Sequence, residues 1–505
     1  MRIEPPAGVF AETYARGAAQ VVWTTLVADL ETPVSAFLKT GADKPLSFLL
    51  ESVEGGAVRG RYSIIGLDPD AVWRAHGDEA EINRAAHQDR NAFNPCGEPP
   101  LAALRTFINE SRFALPDCLP PMAAGVFGYL SYDMVRLMEE LPPPNPDAIG
   151  IPDAILVRPT VVMIFDSVLD TLTLVTPVRP TKGLAADAAL ARAVDRLDAV
   201  IDALDRPLAK EPAGTAVSAL QVAPASNTTP AEFRAMVTRA KEYIAAGDVF
   251  QVVLAQRFEA PFTLPPFALY RALRRVNPAP FLFYLDYAGF AVVGSSPEIL
   301  VRTRGDTVTI RPIAGTKPRG PTPHEDKALE EELLADPKER AEHLMLLDLG
   351  RNDVGRVAAI GTVKVTDQFF VERYSQVMHI VSNVEGKLDP HRDALDALAA
   401  GFPAGTVSGA PKVRAMEIID ELEKEKRGLY AGCVGYFSAA GDMDSCIVLR
   451  TALIKDGKMY VQAGAGIVAD SDPASEQQEC INKAKALFRA AEEARRFASA
   501  AGKGQ

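Results

Sequence analysis

The chain has 505 residues, 48% of them hydrophobic, and a formal charge of −12. That length and composition support buried cores in about two to four domains, and the negative average field excludes nucleic acid or an anionic membrane as the main partner. No apolar run approaches the roughly 18 to 20 residues of a membrane span, and Met1-Arg2-Ile3-Glu4-Pro5-Pro6 lacks the basic-then-apolar layout of a secretory signal, so a cytoplasmic protein is expected.

In chain order, residues 47–53, 63–67 and 160–165 are predicted strands, and 184–204 an Ala-rich helix. Residues 206–228 are rich in Pro, Ala, Ser and Thr and form a predicted linker. Thr229-Pro230-Ala231-Glu232 starts a helix with a capping box, and Phe233, Met236, Val237, Ala240 and Ile244 mark its buried stripe up to Gly247. Residues 249–258, 281–285, 291–293 and 447–454 are predicted strands. The order is not a steady βαβ alternation, which favours an α+β fold. Cys96, Cys118, Cys433, Cys446 and Cys480 are scattered without a CxxC pair and are expected to be free, mostly buried thiols.

Two helices carry conspicuous acids. In the first, Asp336 is placed to cap, Pro337 takes the first helical position and Glu339 completes a capping box, while Glu342 shares a stripe with Met345, Leu346 and Leu349. The second opens at Ser471-Asp472-Pro473 and carries Glu476, Glu479 and Lys483 on one face. Burying a carboxylate costs on the order of several kcal/mol without a counter-charge. Oxygen-only ligands point to Mg2+ as that charge. Spacing alone favours a simpler arrangement, in which Glu342 pairs with an arginine and the other three form a solvated face.

The surrounding motifs shift that balance. Gly294-Ser295-Ser296-Pro297-Glu298, Arg311 to Gly320 with Gly315 and Thr316, Phe402 to Lys412 with Thr406, Asp348-Leu349-Gly350-Arg351-Asn352-Asp353 and Gly464-Ala465-Gly466-Ile467-Val468 occur in one order and register. Over residues 49–485 the chain resembles the chorismate-utilising enzymes, and within them the anthranilate synthase component I family. The glycine-rich stretches fail P-loop and dinucleotide spacing, so no nucleotide is expected.

The resemblance implies two large antiparallel β-sheets packed face to face with helices outside. It also implies an N-terminal domain over 15–205 and a chorismate-binding catalytic domain over 229–495. Glu342 and Glu479, supported by Glu476, would hold Mg2+ against the ring carboxylate of chorismate, which Gly464, Ala465 and Gly466 line. Tyr430 and Arg450 would grip the enolpyruvyl carboxylate, with Gly315, Thr316 and Lys483 completing the substrate site. Glu298 would be the general acid for loss of the C4 hydroxyl as ammonia adds, and His379 would assist loss of pyruvate. Thr406 belongs to the same catalytic group. Gln251 stands where water-adding relatives carry a lysine base, and Ala314 where aminodeoxychorismate relatives carry lysine, so anthranilate is the implied product.

Leu49-Leu50-Glu51-Ser52-Val53-Glu54 and Asn277-Pro278-Ala279-Pro280-Phe281-Leu282 resemble the tryptophan feedback site, with Leu50, Glu51, Ser52, Pro280, Phe281 and Leu282 as its contacts. No cysteine sits in a glycine-flanked nucleophile elbow. Glutamine would therefore be used only through a separate component II amidotransferase, giving a heteromer. Aminodeoxychorismate synthase component I and a non-catalytic chorismate or tryptophan sensor are the alternatives.

Overall fold

The computed structural model describes residues 2–54, 58–208, 224–374 and 377–497, with side chains outside 53–59. Residues 209–223 of the linker, Ser375 and Gln376, and the Glu54 side chain lie outside the described residues.

The fold is α+β, and antiparallel ladders join its strands into one network. Strands from before and after the linker meet at two seams. Phe48–Glu54 pairs with Phe281–Asp286, and Gly125–Leu130 pairs with Cys433–Ser438. Side chains alternate between two faces along each strand. From Ala154–Asp166, Val162 and Ile164 enter an inner cluster with Phe283, Val292 and Leu453, whereas Val161, Met163 and Phe165 enter an outer one with Phe37, Leu197, Leu269 and Leu487. The last four lie on helices, so sheet packs on sheet inside and helices cover the outside.

The Thr229–Glu232 capping box forms, and Gly247 ends that helix in the left-handed conformation at φ +87°. Three expectations need correction. The strand expected over 63–67 runs instead from Val58 to His76, because Asp68 at φ +49° and a register shift between Pro69 and Ala71 absorb a Pro-Asp step that looks like a turn. The strand expected over 447–454 is two, Met443–Ile447 and Thr451–Lys455, broken beside Arg450 at φ +47°. Asp336 caps its helix by accepting from Lys338 and Glu339 backbone N–H groups, but Glu339 does not reach back. Cys433, Cys446 and Cys480 are buried, Cys96 is half-buried and Cys118 exposed, and all five are free thiols.

Candidate active site

Strands Gln251–Pro261 and Lys458–Ile467 form one wall, in a register that sets Ala255 opposite Gly464, Leu254 opposite Ala465 and Val253 opposite Gly466. A Cβ at Gly464 would fall 2.7 Å from the Tyr430 hydroxyl, and one at Gly466 would fall 2.4 Å from Gln251 Nε2. The missing side chains therefore admit Tyr430 and Gln251 against the strand. Gln251 is buried, and its Oε1 has no hydrogen-bond partner. Ala465 is fully buried in the core behind the wall. Lys483 Nζ donates to the Gly464 carbonyl at 2.9 Å and pairs with Glu479 at 2.7 Å.

Glu342 lies on helix Pro337–Gly355 and Glu476, Glu479 and Lys483 on helix Pro473–Glu493. An ion pair of 2.9 Å between Lys338 and Asp470 ties the start of the first helix to the loop leading into the second. Burial raises the pKa of Glu342, and the like charges of Glu339 and Glu479 raise it further. Burial also raises Glu476, with Glu479 adding to the rise and a Ser471 hydrogen bond opposing it. Acids from two sequence-distant helices thus share one field. Among the described residues no three acid, histidine or cysteine side chains form a ready-made metal cage. One or two carboxylates completed by water and an anionic ligand are what Mg2+ ordinarily takes, and this donor set fits that ion.

The Glu298 side chain is almost fully buried, and burial lifts its carboxyl to a pKa of about 8 against the opposing pull of Thr406, the Ile313 N–H and Arg450. It is therefore largely protonated at neutral pH. The Thr406 hydroxyl, in the Gly405–Val407 turn, is near enough to act on Glu298 yet makes no well-formed hydrogen bond. Burial lowers the pKa of Arg450, which faces Glu298 and Tyr374 and forms no ion pair among the described residues. An unpaired buried guanidinium is suited to a carboxylate ligand.

His379 sits on strand Val377–Lys387 opposite Thr316. Its Nδ1 is 3.0 Å from the Gly315 carbonyl and 3.0 Å from Thr316 Oγ1. A carbonyl only accepts, so Nδ1 carries the proton and Nε2 keeps a lone pair. Burial depresses the ring to a pKa of about 4, leaving it neutral at physiological pH. Tyr374 meets the ring edge-on at 5.4 Å.

The profile of the chorismate binding enzymes matches residues 48–489. The chain belongs to that family. It is 57% identical over 496 residues, covering 98% of this chain and 99% of the relative, to a Cereibacter sphaeroides protein named anthranilate synthase component 1. A Thermus thermophilus protein of the same name is 48% identical over 468 residues, covering 93% of this chain and 97% of the relative. Among solved structures, anthranilate synthase component I from Streptococcus pneumoniae superposes with a TM-score of 0.73 at 38% identity, covering 92% of this chain and 98% of that one.

In this chorismate-binding family member, a cavity stands apart from these residues. It is about 420 Å³ in volume and is lined by Glu51, Ser52 and Leu282 together with Gly60, Ser63 and Arg274. The strand register that sets Phe281 opposite Ser52 and Leu282 opposite Glu51 brings the two expected segments together. Leu50 and Phe281 instead pack against the inner cluster, and neither they nor Pro280 line this cavity. Glu51, one of the expected contacts, is already engaged. Arg274 donates to it at 2.6 and 3.0 Å and the Tyr270 hydroxyl at 2.5 Å.

Two residues were not anticipated. Glu339 Oε2 would lie 3.1 Å from a Cβ on Gly315, so it belongs to the acidic rim and not to a cap. Its signal is the spacing Glu339-x-x-Glu342, which repeats Glu476-x-x-Glu479. Arg427 is buried and pairs with Glu423 at 2.6 Å. It donates to the carbonyls of Val407 at 2.7 Å and Val253 at 2.6 Å, and its guanidinium stacks 5.4 Å from the Tyr430 ring centre. It braces three pieces of the site at once. Lys412, in the glycine-rich stretch set aside as a phosphate loop, is taken up by Asp353 at 2.9 Å.

Proposed function

We propose that this chain is an anthranilate synthase component I, converting chorismate and ammonia to anthranilate and pyruvate in the first committed step of tryptophan synthesis. The observation that carries the reading is the Glu298 carboxyl, held largely protonated at neutral pH in a buried setting beside an unpaired arginine. The names of the relatives matched over nearly their whole length support the same assignment.

In this mechanism Arg450 and Tyr430 hold the enolpyruvyl carboxylate. The ring carboxylate lies along the strand at Gly464, Ala465 and Gly466, with Lys483 adding positive charge. Glu342 and Glu479, with Glu339 and Glu476 in support, would hold Mg2+, which would supply charge neutralisation for that carboxylate. Glu298 donates its proton to the departing C4 hydroxyl, which leaves as water, while ammonia forms the new C–N bond and loses a proton. Thr406 lies beside that carboxyl. Gln251 has no basic group with which to deprotonate water, which favours ammonia as nucleophile. The neutral Nε2 of His379, its tautomer fixed through Gly315 and Thr316, is the base available when the ring loses a proton and the C–O bond to the enolpyruvyl group breaks. Pyruvate leaves once its methylene is protonated.

Three further elements complete the proposal: inhibition by tryptophan in the cavity at Glu51 and Ser52, a component II glutamine amidotransferase as partner, and a cytoplasmic setting consistent with five free thiols. The test is the purified chain with chorismate, Mg2+ and an ammonium salt, monitored by anthranilate fluorescence. Formation of aminodeoxychorismate or isochorismate, or no turnover, overturns it.

A further inference from the structure

A second large cavity, about 620 Å³, opens between helix Ala186–Leu204 and the sheet strands that carry Thr160 and Pro177. Its chemistry opposes that of the chain as a whole. Six basic side chains line it, Lys39, Lys44, Arg179, Arg192, Arg196 and Arg206, against two carboxylates, Asp68 and Asp70, an excess of four in a protein of charge −12. The helix encodes the sorting. Arg192, Arg196, Ala199 and Ala203 recur at helical spacing on the lining face, whereas none of its four aspartates lines the cavity. The alanines on that face leave the volume open.

Several of these cations lack partners. The side chains of Arg192 and Arg206 make no hydrogen bond or ion pair among the described residues, and that of Arg196 only donates to Thr176 Oγ1 at 3.2 Å. Arg179 is the most telling. Its Nε and Nη2 are buried without a hydrogen-bond acceptor, and the nearest carboxylate, Asp70, lies 3.9 Å from its Nη1 and is already paired with Arg158 at 2.7 Å. Both atoms are closed off from the open volume, and the guanidinium lies 5.6 Å from the Phe113 ring centre, so Arg179 charges the cavity wall rather than presenting that edge to it. Burial has pulled this group down to a pKa of about 10, and a bound anion would relieve that cost.

We propose that this cavity binds a small polyanion of the phosphate-ester or diphosphate class, with Arg192, Arg196 and Arg206 closing over it and Arg179 adding positive charge from the wall. The cavity is also wired to its neighbour. Lys39, on its rim, donates to Glu31 at 2.6 Å and to the Leu204 carbonyl at 2.7 Å, and Glu31 lines the cavity that contains Glu51 and Ser52. An anion drawing Lys39 toward itself leaves Glu31 less compensated, so occupation of the basic cavity tightens binding of an ammonium-bearing ligand next door. This coupling, unlike the anion site itself, rests on the reading of the neighbouring cavity as an amino-acid site.

Calorimetric titration of the full chain with inorganic pyrophosphate, in EDTA and low salt, tests the site directly. One pyrophosphate per chain is expected, weakened at least tenfold in the double variant Arg192→Ala/Arg196→Ala. Both residues are exposed on a helix, so the variant keeps its fold, which circular dichroism checks. Absence of binding, equal affinity in the double variant, or citrate binding more tightly than pyrophosphate overturns the assignment. For the coupling, saturating pyrophosphate should tighten tryptophan binding at least threefold in the wild type and not in Lys39→Met. A persistent effect in that variant overturns the coupling alone. Failure of tryptophan to bind at all indicts the amino-acid reading and leaves the pyrophosphate result standing.

Discussion

His379 Nδ1 lies 3.0 Å from the carbonyl oxygen of Gly315, a residue whose backbone sits at φ +74°. The left-handed turn aims that carbonyl at the ring and thereby fixes which nitrogen is free. Adding a side chain costs about 1–2 kcal/mol at such a φ, and a Cβ there would also press on Glu339 at 3.1 Å and Ile380 at 3.3 Å. Gly315→Ala should therefore fold but turn the carbonyl away, lowering kcat by up to roughly 100-fold with a smaller change in the KM for chorismate. Steady-state kinetics beside a melting curve check this, and unchanged kcat contradicts the role given to the turn.

Glu298 predicts opposite effects on activity and stability. The folded-state pKa of about 8 lies above the ordinary carboxyl value of 4.5, so the folded protein holds the extra proton between these limits. Stability is thus lost as pH rises from about 4.5 through about 8, and the destabilisation is complete above that. Glu298→Gln removes it. The variant should melt higher than wild type at pH 9 and nearly level with it at pH 4.5, while turnover falls roughly 10²- to 10⁴-fold. In the wild type, kcat/KM normalised to free ammonia should decline above about pH 8 as the acid ionises. An equal melting difference at both pH values would argue against a buried, protonated carboxyl.

The acidic helices predict a metal requirement with two tiers. Chelation should abolish anthranilate formation, and Mg2+ should restore it. Removing a supporting acid, as in Glu339→Gln or Glu476→Gln, should weaken the apparent Mg2+ affinity roughly 10- to 100-fold, and removing Glu342 or Glu479 should weaken it further. Because Glu342 is raised by the charge of Glu479, Glu479→Gln should also lower the pKa of Glu342, which NMR titration can follow. Activity that survives both EDTA and the loss of either Glu342 or Glu479 would refute the metal site.

What was legible in the sequence depended on the range of the interaction. Thr229 with Glu232, Asp336, and the shared face of Glu476, Glu479 and Lys483 follow from local helical geometry, so they are visible within a few residues. Arg450 needed the resemblance, because a run of β-branched residues hid the left-handed break that divides its strand. Glu339 fitted two local explanations, and only the position of Gly315 chooses between them. The engagement of Glu51 is invisible locally because its partners, Tyr270 and Arg274, come from helix Pro266–Val276 across the seam. Arg427 gathers carbonyls from two distant segments, and no local pattern announces that.

That pairing of Glu51 sharpens the final prediction. With its charge held by Arg274, the ammonium of a bound amino acid must draw on the wider acidic lining, which includes Glu31, Asp29 and Asp166, while Ser52 and Leu282 shape the floor. Ser52 Oγ donates to the Tyr62 carbonyl at 3.1 Å, and a Cβ on Gly60 would fall only 2.1 Å from that oxygen. A larger side chain at 52 therefore has no room toward Gly60 and must project into the cavity. Ser52→Phe should raise the tryptophan concentration for half-inhibition at least tenfold while leaving uninhibited turnover near wild type, since the residues proposed for catalysis lie outside this cavity. Arg274→Met should act differently: it leaves Glu51 buried without its cation, which costs about 3–5 kcal/mol, so it should lower the melting temperature as well as alter inhibition. If Ser52→Phe is inhibited like the wild type, tryptophan does not bind in this cavity.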